Sequence, residues 1–205
     1  MDYQIKVLRS TPLATNNYLL TFGDEAILVE ASATVEQLKS ALEGRKLCAI
    51  FLTHSHFDHA INLEKLLKTF DTKCYMHKNC LEKIRNHQKM FYGDRPFCVQ
   101  GCDDRIVFVN DHEKLVLCNQ EITCLYTPGH PDDSMCYIIG ENVFVGDLLF
   151  SAGYGRTDLP SGNEESLKLS IPKILDLGKN LAIMPGHFEA TSIQEQQKLW
   201  RDLNG

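Results

Sequence analysis

The residues best equipped for chemistry sit in one stretch, Thr53-His54-Ser55-His56-Phe57-Asp58-His59. Three imidazoles and a carboxylate fall within positions 54 to 59. In an extended backbone, residues two apart face the same way, so His54 and His56 can grip one ion together. Asp58 and His59 fall where the chain turns, and they can reach a second ion. A lone histidine is usually a packing or surface residue; three at this spacing make a ligand cluster.

The elements around this stretch are those needed to hold it. Cys48-Ala49-Ile50-Phe51-Leu52 is an apolar run that reads as a buried strand. Ile61, Leu63, Leu66, Leu67 and Phe70 then recur at roughly helical spacing, which predicts a helix to about Phe70. The cluster therefore sits on a strand-to-helix turn. Three further strands end the same way. Ile122–Tyr126 ends in Thr127-Pro128-Gly129-His130, Val143–Val145 in Gly146-Asp147, and Leu181–Met184 in Pro185-Gly186-His187. Proline cannot continue a ladder and glycine frees the backbone, so each ligand-capable side chain is delivered from a strand end. Of the eight histidines, five fall in this set; His77, His87 and His112 are read as surface or packing residues.

Taken in order, His-x-His-x-Asp-His, Pro-Gly-His, Gly-Asp and Pro-Gly-His resemble the metallo-β-lactamase superfamily, from the Tyr18 strand to His187. Within it, Gly146-Asp147-Leu148-Leu149-Phe150 and Gly155-Arg156-Thr157-Asp158-Leu159-Pro160 resemble the hydroxyacylglutathione hydrolase (glyoxalase II) branch. Persulfide dioxygenases have a similar Gly-Arg-Thr-Asp stretch. Long glyoxalase II proteins carry a helical C-terminal domain; here 18 residues follow His187, so the resemblance is to a short form. The resemblance implies one domain over residues 1–205, an α/β four-layer αβ/βα sandwich of two mixed sheets with helices outside. It also implies that His54, His56 and His130 hold one metal, that Asp58, His59 and His187 hold another, and that Asp147 bridges them. Relatives usually place an Asp-Pro-Gly-like turn after the second hairpin strand; here the chain has Glu30-Ala31-Ser32.

Composition narrows the class. A chain of 205 residues with 43% hydrophobic and 23% charged residues suits a globular protein with a proper core. The net charge of −6 disfavours a nucleic-acid surface. No stretch approaches the ~18 uncharged apolar residues of a spanning helix. The start, Met1-Asp2-Tyr3-Gln4-Ile5-Lys6, lacks the apolar core of a signal peptide, and we expect a cytoplasmic protein. Cys48, Cys124 and Cys136 lie in apolar runs, where a free thiol behaves as a small hydrophobe. Cys98 and Cys102 flank a loop and are the pair to watch for a zinc or redox role.

The rest of the chain supplies the frame. Residues 3–8 open as a strand, and Asn17–Phe22 with Ala26–Val29 form a hairpin turning at Gly23-Asp24. Thr34 to Leu42 reads as a helix with Thr34 as N-cap, Gln37 at the capping-box position and Gly44 as stop. Lys73 to Met76 reads as a short strand. Lys78, Lys83, Arg85 and Lys89 make the next helix basic, either a solvated face or a cationic wall for an anionic substrate. Phe91, Tyr92 and Phe97, with Gly93 and Pro96 between them, can form a loop over the cleft. Residues 105–126 read as short strands of a second sheet, and Met135–Ile139 with Asn142–Val145 as a hairpin around Gly140. Asn163 or Ser161 caps a helix to about Leu177 that contains Pro172, and Ser192 to Leu203 form a final helix.

The ligand set supports two divalent ions. Imidazole and carboxylate without thiolate do not select a single metal; zinc is the first expectation, with iron or manganese as alternatives. A dinuclear site can supply a hydroxide at neutral pH, bridging the ions, and we expect it to attack a thioester carbonyl. Asp58 is placed to steer it. The substrate expected is an anionic small-molecule thioester, with Arg156 either holding its tail or braced by Asp158. A persulfide dioxygenase would instead use a single iron held by His54 or His56, His130 and Asp147. A β-lactamase is disfavoured because that branch commonly has cysteine where Asp147 stands, and a lactonase because Phe150 replaces an expected tyrosine. A nuclease would carry a basic surface, and a non-catalytic metal-binding domain would not need the complete ligand set.

Overall fold

The apolar runs become strands whose neighbouring residues feed different cores. The structure, a computed structural model, describes residues 3–11, 13–86, 99–178 and 181–204. One sheet holds β1 (Gln4–Ser10), β2 (Thr15–Phe22), β3 (Glu25–Val29), β4 (Lys46–Phe51), β5 (Lys73–Met76) and β6 (Ile106–Phe108), side by side in that order. It is mixed: β1 to β3 are antiparallel, and β3 to β6 pair in parallel. The other sheet is built from β7 (Lys114–Leu117), β8 (Gln120–Tyr126), β9 (Met135–Ile139) and β10 (Asn142–Gly146). A small hairpin of β11 (Leu149–Phe150) and β12 (Gly153–Tyr154) follows, then β13 (Ala182–Pro185) and β14 (Thr191–Ser192) complete the second sheet. Its order is β14-β13-β10-β9-β8-β7, with β10 and β13 parallel.

Side chains alternate across a strand, which divides the apolar residues among three cores. Leu19, Leu28 and Ile50 face outward to Leu38 of α1 (Val35–Leu42) and to Leu63 and Leu66. Their neighbours Leu20, Ile27 and Phe51 face inward and meet Ile122, Tyr137 and Phe144 between the sheets. Leu125, Cys136 and Val143 turn to the far side, where α5 (Glu164–Leu175) and α6 (Ile193–Asn204) supply Leu167, Ile171 and Ile193. Each fully buried side chain of this size contributes roughly 1.5–3 kcal/mol. Strands buried on both faces must be apolar throughout, which is why they read as runs and not as alternations. The result is the four-layer αβ/βα sandwich expected from the sequence. Among the described residues no helix is long and apolar enough to cross a membrane.

Several expectations hold in detail. Thr34 and Gln37 form the capping box of α1, and Gly44 has φ +88° just beyond its end. Asn163, not Ser161, caps α5 by accepting the Ser166 N–H at 2.8 Å, and Pro172 lies within that helix. Others need correction. The helix expected to run to Phe70 is two, α2 (Phe57–Ala60) and α3 (Leu63–Thr69). The break occurs because the Glu30–Ser32 loop takes over its backbone groups: Ala31 N–H donates to His59 O at 2.8 Å, and Asn62 N–H donates to Ala31 O at 3.0 Å. β6 joins the first sheet beside β5, so not all of residues 105–126 belong to the second. α5 ends at Leu175, short of Leu177.

The basic helix forms as α4 (Lys78–Asn86). Lys83 pairs with Asp132 and Asp133, and Arg85 with Asp103, so both cations are engaged in ion pairs. His77 stacks on Tyr126 with centroids 4.7 Å apart, and His112 is exposed beside Asp111. His87, Lys89, the Phe91–Phe97 loop and Cys98 lie outside the described residues. Cys102 is buried, as are Cys124 and Cys136; Cys48 is only half-buried, so it is not the core hydrophobe its run suggested.

Candidate metal centre

The C-terminal ends of β4, β8, β10 and β13 meet at one rim of the sandwich, and each is followed by its ligand-capable residues. The rim is stitched by the backbone, both within the second sheet and across to the first. Met135 N–H donates to Thr53 O at 2.8 Å, Gly186 N–H to Gly146 O at 2.8 Å, and Asn16 N–H to Gly186 O at 2.7 Å. Two of the motif glycines answer to space: a Cβ on Gly186 would strike the Asp147 carboxylate and the His59 ring, and one on Gly146 would strike Thr53.

All seven side chains converge. The rings of His54 and His56 lie 4.6 Å apart, His56 and His130 4.5 Å, His54 and His59 4.1 Å, and His59 and His187 5.3 Å. Ligand atoms of His54, His56 and His130 lie within 4.8 Å of one another, as do those of Asp58, His59 and His187. Asp147 stands between the trios. Its Oδ1 is 3.3 Å from His59 Nε2, and its Oδ2 is 3.4 Å from His130 Nε2.

Three of the five imidazoles are hydrogen-bonded from behind, and a fourth, His59, lies against a carboxylate. His130 Nδ1 donates to Arg156 O at 2.7 Å, and His187 Nδ1 to Leu13 O at 3.1 Å. A carbonyl only accepts, so Nδ1 carries the proton and Nε2 offers its lone pair to the centre. His54 Nδ1 lies 2.9 Å from Thr53 Oγ1, which donates to Glu30 Oε1 at 2.6 Å. Glu30 Oε1 also lies 3.1 Å from His59 Nδ1. One buried carboxylate thus fixes a ligand in each trio. Asp58 Oδ2 accepts from Thr15 Oγ1 at 2.9 Å, and Asn16 Nδ2 donates to Pro185 O and Phe188 O, clamping the turn that carries His187.

Glu30, Thr53, Thr15 and Asn16 brace the cluster, and motif spacing does not single them out. The one signal was Glu30 itself, standing where relatives have aspartate; it holds φ +72°, a left-handed conformation that a side chain rarely adopts.

Charge is distributed unequally. Burial and the neighbouring imidazoles push His54 well below its ordinary pKa, and burial with His130 takes His56 down to about 3. Both are neutral and ready to ligate. Burial works against a charged His59, yet Asp147, Glu30 and Asp58 hold it well above its ordinary value. Burial likewise opposes His187, which its hydrogen bond to Asp58 raises. Burial opposes ionised Asp58 too, but His59 and His187 lower it to about 2, and surrounding histidines hold Asp147 well below the carboxylate range.

His54 Nε2, both ring nitrogens of His59, His130 Nε2 and Asp147 Oδ1 are buried with no hydrogen-bond partner. Orphaned atoms of this kind carry a desolvation cost of about 1–3 kcal/mol each. Metal ions placed among them would satisfy those that face the centre, so the residues fit the ions this donor set implies. The centre opens on the side of Asp58, Asp147 and His187, whose side chains are 13%, 11% and 16% exposed, while His59 is sealed. Arg156 is not drawn into the cluster. Its side chain is 59% exposed and forms a two-point pair with Asp158 at 2.7 and 2.6 Å.

Residues 10–187 match the family model of the metallo-beta-lactamase superfamily. The chain belongs to that superfamily. The probable metallo-hydrolase YqgX of Bacillus subtilis is 30% identical over 95% of this chain and 94% of its own. The BLEG-1 B3 metallo-beta-lactamase superposes with a TM-score of 0.88 at 29% identity, covering 98% of this chain and all of that one. ETHE1 from Myxococcus xanthus superposes with a TM-score of 0.73 at 25% identity, covering 95% and 82%. Membership of a metallo-hydrolase superfamily agrees with the histidine trios and implies divalent metal ions as cofactors.

Proposed function

We propose that residues 1–205 form one metallo-β-lactamase-like domain, and that it is a dinuclear metal-dependent hydrolase of the glyoxalase II-like kind. Its substrate is an anionic thioester of the hydroxyacylglutathione type. The observation that carries this reading is the pair of ligand trios sharing Asp147, whose carboxylate lies within 3.6 Å of His130 in one trio and of His59 and His187 in the other. His54, His56 and His130 would hold one ion and Asp58, His59 and His187 the other, with zinc the first candidate and iron or manganese the alternatives.

Ions bound there supply a Lewis acid and a water whose pKa falls from ~15.7 to about 7. The chain's own residues do the rest. Asp58, ionised and fixed by Thr15, sits at the opening and can accept a hydrogen bond from an attacking water, orienting it. A departing thiolate has a parent pKa near 8.5, so it needs little help from an acid. Phe150 and Phe188, packed edge to face at 5.5 Å beside His187, offer an apolar wall for the substrate's carbon chain. Arg156 is exposed enough to swing from Asp158 to an anionic tail. The described cysteines are free thiols, which supports a cytoplasmic setting.

The second reading is a persulfide dioxygenase with a single iron on His54 or His56, His130 and Asp147; the Gly155–Asp158 stretch and the likeness to ETHE1 favour it. Metal content of the native protein, with a panel of acyl-thioesters, lactones, β-lactams and glutathione persulfide, separates the readings. We expect two ions per chain and thioester cleavage that disappears in His56→Ala. Cleavage of no thioester by loaded protein, with His56→Ala behaving identically, would end the hydrolase reading. One iron per chain with oxygen uptake would establish the other.

A further inference from the structure

At the end of the sandwich opposite the metal centre, β3 and β4 begin and the β7–β8 hairpin turns. Glu25, Cys48 and Cys118 meet there, their ligand atoms all within 4.8 Å of one another. They come from three separate stretches and from both sheets. Cys48 Sγ donates to Glu25 Oε1 at 3.2 Å. Cys118 and Asn119 occupy the two-residue hairpin turn with φ +51° and +55°. Such turns favour Asn-Gly, so a cysteine at the first position is unusual, and it brings the thiol to the facing sheet. All three residues are half-buried and line a cavity of about 510 Å³ that opens to solvent.

The geometry points to a second metal site, in which Glu25, Cys48 and Cys118 bind a thiophilic divalent ion, with a fourth position facing the cavity. Two thiolates and a carboxylate select zinc-like or cadmium-like ions over magnesium or calcium, the reverse of the oxygen-rich preference of hard cations. This site does not depend on the hydrolase reading.

Electrostatics runs the same way. Burial pushes the Cys48 thiol up, and burial together with Cys48 and Glu25 pushes Cys118 up to about 12. A cation among them would offset the opposition that Cys48 and Glu25 raise to a Cys118 thiolate. On binding, both S–H bonds break, two sulfur–metal bonds form, and two protons pass to solvent, so affinity rises with pH. Lys46, Asp71, Lys73, Asp104 and Arg105 share the cavity wall, three cations against two anions, and set the local field. Because the ligands come from both sheets, the ion ties the layers together at this rim.

The test is titration of the chelator-stripped full chain with Cd²⁺ and Co²⁺, following sulfur-to-metal charge-transfer absorbance. The N/O ligands of the first centre give no such band. We expect a band that saturates at one ion per chain, survives in Asp147→Ala, and is lost in Cys48→Ser and Cys118→Ser. Glu25→Gln should keep the band with affinity weakened by about tenfold or more. The unaltered chain supplies an independent readout: Cd²⁺ should protect Cys48 and Cys118 from iodoacetamide, mapped by mass spectrometry. Absence of the band, its persistence in the double serine variant, or unchanged labelling would overturn the site. So would a metal-free Cys48–Cys118 disulfide in protein isolated without oxidant.

Discussion

The rim at the ends of β4, β8, β10 and β13 gathers five imidazoles and two carboxylates, whereas the opposite rim gathers two thiols and one carboxylate. At the first, Nδ1 of His54, His59, His130 and His187 is each matched to an oxygen behind it, and Glu30 serves two rings at once. At the second, Glu25 receives Cys48 directly, and Cys118, set on the hairpin turn, hydrogen-bonds with the same two side chains. The difference is one of preorganisation as much as donor type. Outer partners that lock ring and tautomer raise affinity without touching the ion. The first rim presents nitrogen and oxygen donors in a fixed array that fits borderline or hard divalent ions. The second offers soft donors, with little outer support for the thiophilic ion proposed there.

Substitutions can break or sharpen this contrast. Asp147→Ala removes the carboxylate both trios share. Metal content at the first rim and thioester turnover should fall more than about 100-fold, beyond the usual range for an outer partner. Elemental analysis and steady-state kinetics check it, and retention of both would remove the distinction between the rims. Glu30→Gln leaves the ligands in place but takes the charge from behind His59 and weakens the acceptor for Thr53. A loss of about 10–100-fold in metal affinity or turnover is expected, read by competition with a chelator.

Acidity should separate the two trios within the first rim. His59 and His187 have raised values, so below them each holds a proton that an incoming ion must displace. Affinity at Asp58, His59 and His187 should therefore fall as pH drops between about 8 and about 6, by about tenfold per unit for each proton displaced. His54 and His56 are lowered, His56 to about 3, so their side of the trio with His130 adds no such competition over that window. Zinc titrations at both pH values should empty the Asp58 side first; equal slopes for the two ions would contradict this asymmetry.

Arg156→Ala should raise KM for an anionic thioester severalfold while kcat and Tm stay unchanged, since its partner Asp158 is as exposed as it is. Unchanged KM would make the Arg156–Asp158 pair a brace only. The smallest effect belongs to the opposite rim: Cys48→Ser should leave thioester turnover unaltered. A fall in turnover would mean that the two rims communicate.

The fold was legible wherever local patterning carries the information. Apolar runs mark strands buried on both faces, Thr34 and Gln37 mark a helix start, and Gly140 with φ +59° marks a hairpin. The membership of β6 was not legible, because Ile106–Phe108 is too short for its pattern to say which sheet it edges. Nor was the break between α2 and α3, which comes from Ala31 and Asn62 exchanging backbone bonds across the fold.

The candidate donors were determined by the sequence itself, because four strand-end turns present imidazoles and carboxylates in order. The braces were decided only in three dimensions. Thr15 reaches Asp58 across 43 positions, and Glu30 reaches Thr53 across 23. Cys48 likewise read as core because its neighbours are apolar, and only the approach of the second sheet's hairpin set Cys118 against it. A side chain's type fixes what it can donate; which groups stand within 3 Å of it is set by how distant strands pack.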